Sequence, residues 1–417
     1  MSASDFEIFS PAAGHSLLRR RAPRWAAGLL ALLVALAAPF SAMASPFLVF
    51  DARTGEVLDE NDAFAPWYPA SITKLMTAYV AFEAMRAGEV TPRSPVTISA
   101  RALAEPPSKM GFKAGTVLTL DAALKMMIVK SANDVAVAIA ESISGSEPAF
   151  IARMNETSRR LGMTGSRWTN PNGLPDPGQW STARDLGILT RALIVGFPEH
   201  AEMFRITAFS VGRQIVRSHN DLLERYPGSD GMKTGYICSS GFNVVASATR
   251  DGRRIVAVVL GEPNSAYRSE KTAQLIEKAF GNRGGLFGGR QKLETLRPSQ
   301  TPAAAPFDMR PYVCGEGREE ARKIKAPGPS LLLPRSPTVT AVALSLGGAE
   351  GPVGVVAEAG TGSGDELAIS DHLTAYAASG PGIVPLPPLR PLPFATIDPS
   401  ATADAFDPAA AQPRPRP

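Results

Sequence analysis

The sequence predicts a mixed α/β fold: an antiparallel sheet flanked by helices, with an all-helical lobe beside it. Three observations lead there. Strand patterns stand at both ends of the segment from Pro46 to Phe280, and helical patterns fill its middle. Beyond about residue 290 the chain turns to Pro, Ala and Gly.

The elements follow in order. Phe47 to Phe50 and Glu56 to Leu58 flank Asp51-Ala52-Arg53-Thr54-Gly55 and read as a β-hairpin. A helix opens at Ser71, carries Leu75, Met76, Tyr79, Phe82 and Met85 on one face, and stops at Gly88. Leu120 to Lys130, Ser131 to Ser144, Pro148 to Leu161 and Thr182 to Val195 read as helices, the last with Thr182-x-x-Asp185 as a capping box. A turn-rich loop, Asn170 to Gly178, interrupts them. Strand patterns return at Ile206 to Val211 and Gln214 to Val216. They are strongest at Phe242 to Thr249 and Ile255 to Leu260, before an amphipathic helix from Tyr267 to Phe280.

Twenty of the 37 prolines lie at or after Pro298. Such a composition buries too little apolar surface to offset its ordering entropy, so residues 286–417 are expected to be a largely disordered tail. Thr338 to Leu346 and Pro352 to Val356 offer a small β module as the alternative. Residues 1–44 have the form of a secretory signal. Arg19, Arg20, Arg21 and Arg24 precede an apolar run from Trp25 to Phe40, and Ala42-Met43-Ala44 precedes Ser45. The expected product is periplasmic, with residues 45–285 as its catalytic domain. An exported chain permits a Cys238–Cys314 disulfide, although two buried free thiols would leave the same sequence.

The net charge of +4 is too small to argue for a nucleic-acid partner, and four scattered histidines and two cysteines do not suggest a metal site. No glycine-rich phosphate loop follows a strand, so no cofactor is expected. The chemistry points instead to Ser71-Ile72-Thr73-Lys74. Among all the lysines only Lys74 has a serine three residues before it. At that helical spacing an amine reaches a hydroxyl and can serve as its base.

Two further triads follow in order: Ser131-Ala132-Asn133, and Lys233-Thr234-Gly235 after Asp230-Gly231-Met232. From about Pro46 to Phe280 the sequence resembles the serine D-alanyl-D-alanine carboxypeptidases, the low-molecular-mass penicillin-binding proteins. The likeness extends to Asn170-Pro171-Asn172-Gly173-Leu174, Ser181-Thr182-Ala183-Arg184-Asp185 and Gly241-Phe242-Asn243. It implies a β-lactamase/transpeptidase-like fold and an acyl-enzyme on Ser71, with Lys74 as base and Ser131 relaying the proton. Asn133 would hold the substrate amide, Lys233 would stand across the cleft and lower the Lys74 pKa, and Thr234 and Arg268 would face the terminal carboxylate. Gly235 would leave the strand edge bare, and the backbone N–H groups of Ser71 and Tyr236 would hold the oxyanion. The partners implied are a peptidoglycan stem peptide ending in D-Ala-D-Ala and β-lactam inhibitors.

A second Ser-x-Asn, Ser218-His219-Asn220, lies close before Lys233 and outside the helical lobe, so Ser131 and Asn133 are preferred. A class A β-lactamase needs a glutamate to activate water, and the loop from Asn170 to Asp185 has none. A D,D-endopeptidase on the same fold and a silent, partner-binding envelope protein complete the alternatives. The last residues show no apolar stripe of the kind that lies on a membrane, which leaves membrane association open.

Overall fold

The computed structural model describes residues 45–282 and 291–353. The signal-like segment and residues 354–417 lie outside them. The hairpin forms as expected from β1 (Phe47–Asp51) and β2 (Val57–Asn61). A 3₁₀ turn, Ala70–Thr73, runs directly into α1 (Lys74–Arg86), so Ser71 sits in that turn ahead of the α-helix. Helix α1 is buried on nearly every side from Lys74 to Phe82, where a single apolar stripe was expected. Small residues, Ala78 and Ala81, let neighbours approach on the remaining faces.

A short ladder, β3 (Pro95–Thr97) with β4 (Val117–Thr119), leads into the helical lobe. The lobe comprises α2 (Leu120–Val129), α3 (Asn133–Ser144) and α4 (Glu147–Leu161). Helix α5 (Ala183–Gly196) returns the chain to the sheet. Thr182 Oγ1 accepts the Asp185 N–H at 3.1 Å, which is half of the expected capping box. The Asp185 carboxylate instead accepts from Gly165 N (2.7 Å), Ser166 Oγ (2.8 Å) and Arg184 (2.9 Å), tying the preceding loop down.

Strands β5 (Ala208–Val211) and β6 (Gln214–Arg217) form a small ribbon. The main sheet is completed by β7 (Ser229–Ile237), β8 (Gly241–Arg250) and β9 (Arg253–Glu262) in the order β2-β1-β9-β8-β7, antiparallel throughout. Helix α6 (Ser265–Gly281) lays Ala273, Ile276 and Ala279 against Val244, Ala246, Ala257 and Val259 on one face. Helix α5 covers the opposite face, where Gly187 lets it lie against Leu48 and Phe50. Strand β7 is left at the sheet's edge, beside the turn that carries Ser71.

Residues 291–353 depart from the expected disorder. They form a strap along the body, anchored by Leu293, Leu296, Met309, Val313, Ala321, Leu332 and Leu344, all buried. Cys314 is disulfide-bonded to Cys238. Of the suggested β module, the stretch Thr338 to Leu346 carries one strand, β10 (Val342–Leu344), which adds to β5 in parallel, while the end of the second stretch, 354–356, lies outside the described residues. An apolar residue every ten or so, landing in grooves of a preformed body, orders a chain that has no core of its own.

Candidate active site

Two glycines bring three backbones together at Ser71. A Cβ on Gly173 (φ +84°) would sit on the carbonyl oxygen of Ala70, so the Asn170–Gly178 loop presses against the Ser71 turn. A Cβ on Gly235 would lie 2.9 Å from Pro69 O and 3.0 Å from Ser71 N, so β7 passes equally close on the other side. Ala70 itself is left-handed at φ +49°. Asn243 secures the arrangement: its side chain donates to Tyr68 O at 2.9 Å and accepts from Gly261 N at 2.9 Å.

Lys74 is fully buried beneath the nucleophile. Its Nζ lies 3.1 Å from Ser71 Oγ, 2.8 Å from Asn133 Oδ1, and in hydrogen-bond contact with Asn172 O. The Asn133 side chain is oriented by donating Nδ2 to Pro106 O at 3.0 Å, which leaves Oδ1 for the lysine. Burial lowers the Lys74 pKa well below the ordinary lysine value. The charge of Lys233 lowers it further, against opposition from Glu105 and Asp134. A neutral amine has two N–H groups and one lone pair. Asn133 Oδ1 and Asn172 O can only accept, so they occupy the two N–H groups and the lone pair faces the Ser71 hydroxyl. The geometry suits proton abstraction.

Lys233 enters from β7, also buried, and donates to Ser131 Oγ at 3.0 Å and Thr234 O at 2.9 Å. Burial, then the Arg268 charge, brings its pKa down to about 7. Ser131 adopts φ +63° at the mouth of α3. Arg268, buried on the first turn of α6, stands 3.7 Å from Asp221 Oδ1, and its Nε has no partner among the described residues. The three expected clusters therefore meet in one cleft, with Arg268 at its cationic end. Thr234 is buried beside Lys233, and Tyr236 is exposed further along the same strand.

Ser218 and Asn220 do not join the nucleophile's network. Ser218 Oγ accepts from the Asn220 backbone, and Asn220 Nδ2 donates to Gly231 O at 3.1 Å, so this pair braces β7. Sequence reasoning missed Asn172 as an acceptor because the group used is its backbone carbonyl, which no residue type encodes. It also missed Asp221, which holds Ser269 Oγ at 2.8 Å and faces Arg268.

The profile of the D-alanyl-D-alanine carboxypeptidase family, Peptidase S11, matches residues 34–264. The chain belongs to that family. It is 34% identical over 241 residues to D-alanyl-D-alanine carboxypeptidase DacD of Salmonella typhimurium, covering 56% of this chain and 62% of that protein. The chain thus matches about six-tenths of the relative's length. Penicillin-binding protein 5 of Haemophilus influenzae superposes with a TM-score of 0.54 at 33% identity, over 57% of this chain and 70% of the other. Penicillin-binding protein D2 of Listeria monocytogenes, solved in a cefotaxime-bound form, gives 0.51 at 27% identity over 56% and 96%. In this family setting the cleft between β7, the Ser71 turn and the helical lobe is the candidate peptidase site.

Proposed function

We propose that the chain is an exported, penicillin-sensitive serine D-Ala-D-Ala carboxypeptidase that trims the terminal D-alanine from peptidoglycan stem peptides. The observation that carries this reading is the buried Lys74 Nζ, 3.1 Å from Ser71 Oγ and held from behind by Asn133 Oδ1 and Asn172 O, where burial lowers its pKa. Lys74 takes the hydroxyl proton as Ser71 Oγ attacks the penultimate D-alanine carbonyl. The oxyanion is held by the N–H groups of Ser71 and Tyr236. The C–N bond then breaks as Ser131, bonded to Lys233, gives its proton to the departing D-alanine nitrogen and takes up the proton that Lys74 removed from Ser71, which returns Lys74 to the neutral amine. Water hydrolyses the acyl-enzyme with Lys74 again as base. The carboxylate of the leaving D-alanine pairs with Lys233, Thr234 and Arg268, whose unpartnered Nε suits it.

β-Lactams would enter as mimics of the same acyl donor, in keeping with the cefotaxime-bound form of the Listeria relative. Export rests on the Arg19–Ala44 signal pattern, and the division into signal, catalytic domain and tail rests on composition. The direct test is D-alanine release from an acetylated D-Ala-D-Ala peptide by the protein and by Ser71→Ala, with intact mass after benzylpenicillin. Release and one covalent adduct are expected for the parent alone. Equal release from both proteins would discard the assignment. A mature N-terminus at Ser45 in a detergent-free periplasmic extract checks the export step.

A further inference from the structure

Past the catalytic residues, the edge of β7 runs into Tyr236, Ile237 and Cys238, and the strap is fastened against it there. Cys314 is bonded to Cys238, and Met309 N donates to Ser239 O at 3.0 Å. The Phe307 ring stacks on Trp67, with centroids 6.2 Å apart, and on Tyr312 at 5.7 Å. Tyr236 is 42% exposed yet pinned: its ring lies on Phe242 at 4.2 Å, and its hydroxyl is 2.9 Å from Cys314 Sγ. A rigid aromatic and sulfur surface therefore stands at one end of the cleft. The nearby charges of Asp308 and Arg310 satisfy each other at 3.3 Å.

The chemistry of the site gives this surface an occupant, and this step rests on the carboxypeptidase reading. A peptide whose carboxylate sits at Lys233, Thr234 and Arg268 must run antiparallel to β7, so the residues ahead of the scissile bond pass Gly235 toward Cys238. Side chains alternate along a strand, so Tyr236 shares the face of Thr234, and its hydroxyl, 2.9 Å from Cys314 Sγ, ties that face to the disulfide. We propose that the Tyr236 ring and the disulfide-held turn from Phe307 to Cys314 form a subsite for the residue preceding D-Ala-D-Ala, selecting an extended side chain without net charge. The strap is then part of the substrate-recognition surface. A pinned ring loses little freedom on contact, which favours its use as a binding wall.

The test uses the full oxidised chain and two substrates, Nα,Nε-diacetyl-L-lysyl-D-alanyl-D-alanine and Nα-acetylglycyl-D-alanyl-D-alanine. The protein should favour the lysyl peptide by about tenfold in kcat/KM, the worth of one good aromatic contact, expressed in KM. The preference should collapse in Tyr236→Ala, in Phe307→Ala, which keeps the disulfide, and in Cys238→Ser/Cys314→Ser. An unchanged preference in folded variants, or a parallel loss on both substrates, would overturn the subsite and leave the carboxypeptidase reading standing. If the unaltered protein releases D-alanine from neither peptide, that reading falls and the subsite falls with it.

Discussion

At the scale of single residues, the site depends on backbone placed where only particular side chains allow it. Gly173 is the sharpest case, since its left-handed φ and its contact with Ala70 O leave no room for a methyl group. Gly173→Ala should cost about 3 kcal/mol or more, the range reserved for steric and backbone conflict. It should also withdraw Asn172 O from Lys74, so slower labelling by a fluorescent penicillin should accompany a lower Tm. Lys74 adds a test of charge. Only its unprotonated form can accept the serine proton, so acylation should rise with pH along a limb set by the Lys74 pKa. The Lys233 charge lowers that pKa, hence Lys233→Gln should move the limb to higher pH, besides slowing the reaction. Stopped-flow acylation across pH reads both effects, and an unmoved limb would dissociate the two amines. The Ser71–Lys74 relation was legible because helical spacing alone brings those two side chains together. The Lys74 contact with Asn172 was not, because it joins a side chain to a carbonyl 98 residues away.

At the scale of elements, the regular pieces were legible and the strap was not. The hairpin, helices α2 to α5 and the β8–β9 pair each carry their own period and turn residues, so local pattern and tertiary position agree. In the strap, isolated Leu293, Leu296, Met309 and Val313 sit among Pro, Ala and Gly. Their partners lie on distant elements, as where Leu293 N bonds to Gly55 O and Asn264 Nδ2 bonds to Ala321 O. No local periodicity records such contacts. The Cys238–Cys314 bridge, closing a sequence separation of 76, is expected to carry much of the strap's attachment. Replacing both cysteines by serine should cost about 2–4 kcal/mol through the freed chain, which thermal melting of the oxidised parent and the variant would register. Limited proteolysis should then cut between residues 300 and 340 in the variant first. Equal cleavage of the two proteins would mean that the apolar anchors alone hold the strap.

At the scale of the whole molecule, the fold gathers buried basic groups while the chain as a whole carries only +4. Lys74, Lys233 and Arg268 are buried at one cleft, and Asp221 is the carboxylate that offsets Arg268. The exposed His219, near Lys233, Lys130, Arg268 and Lys74, is driven down to about 4, first by desolvation and then by those charges. The fold thus stores a cost that an anionic ligand would relieve. For Lys233 the folded pKa is about 7 and the ordinary value 10.5. Between those values the unfolded chain binds a proton that the folded protein does not, so stability from this group rises with pH over that window and is lost as pH falls toward 7. Below about 7 both states are protonated and the dependence ends. Denaturant unfolding of the protein and of Lys233→Met between about pH 7 and 10.5 should therefore diverge, by a few kcal/mol across the range, with the variant keeping only the shallower slope that buried Lys74 contributes. A carboxylate-bearing peptide bound to Ser71→Ala would favour the charged lysine and flatten that slope. Parallel curves for parent and variant would show that Lys233 keeps its ordinary proton in the empty cleft.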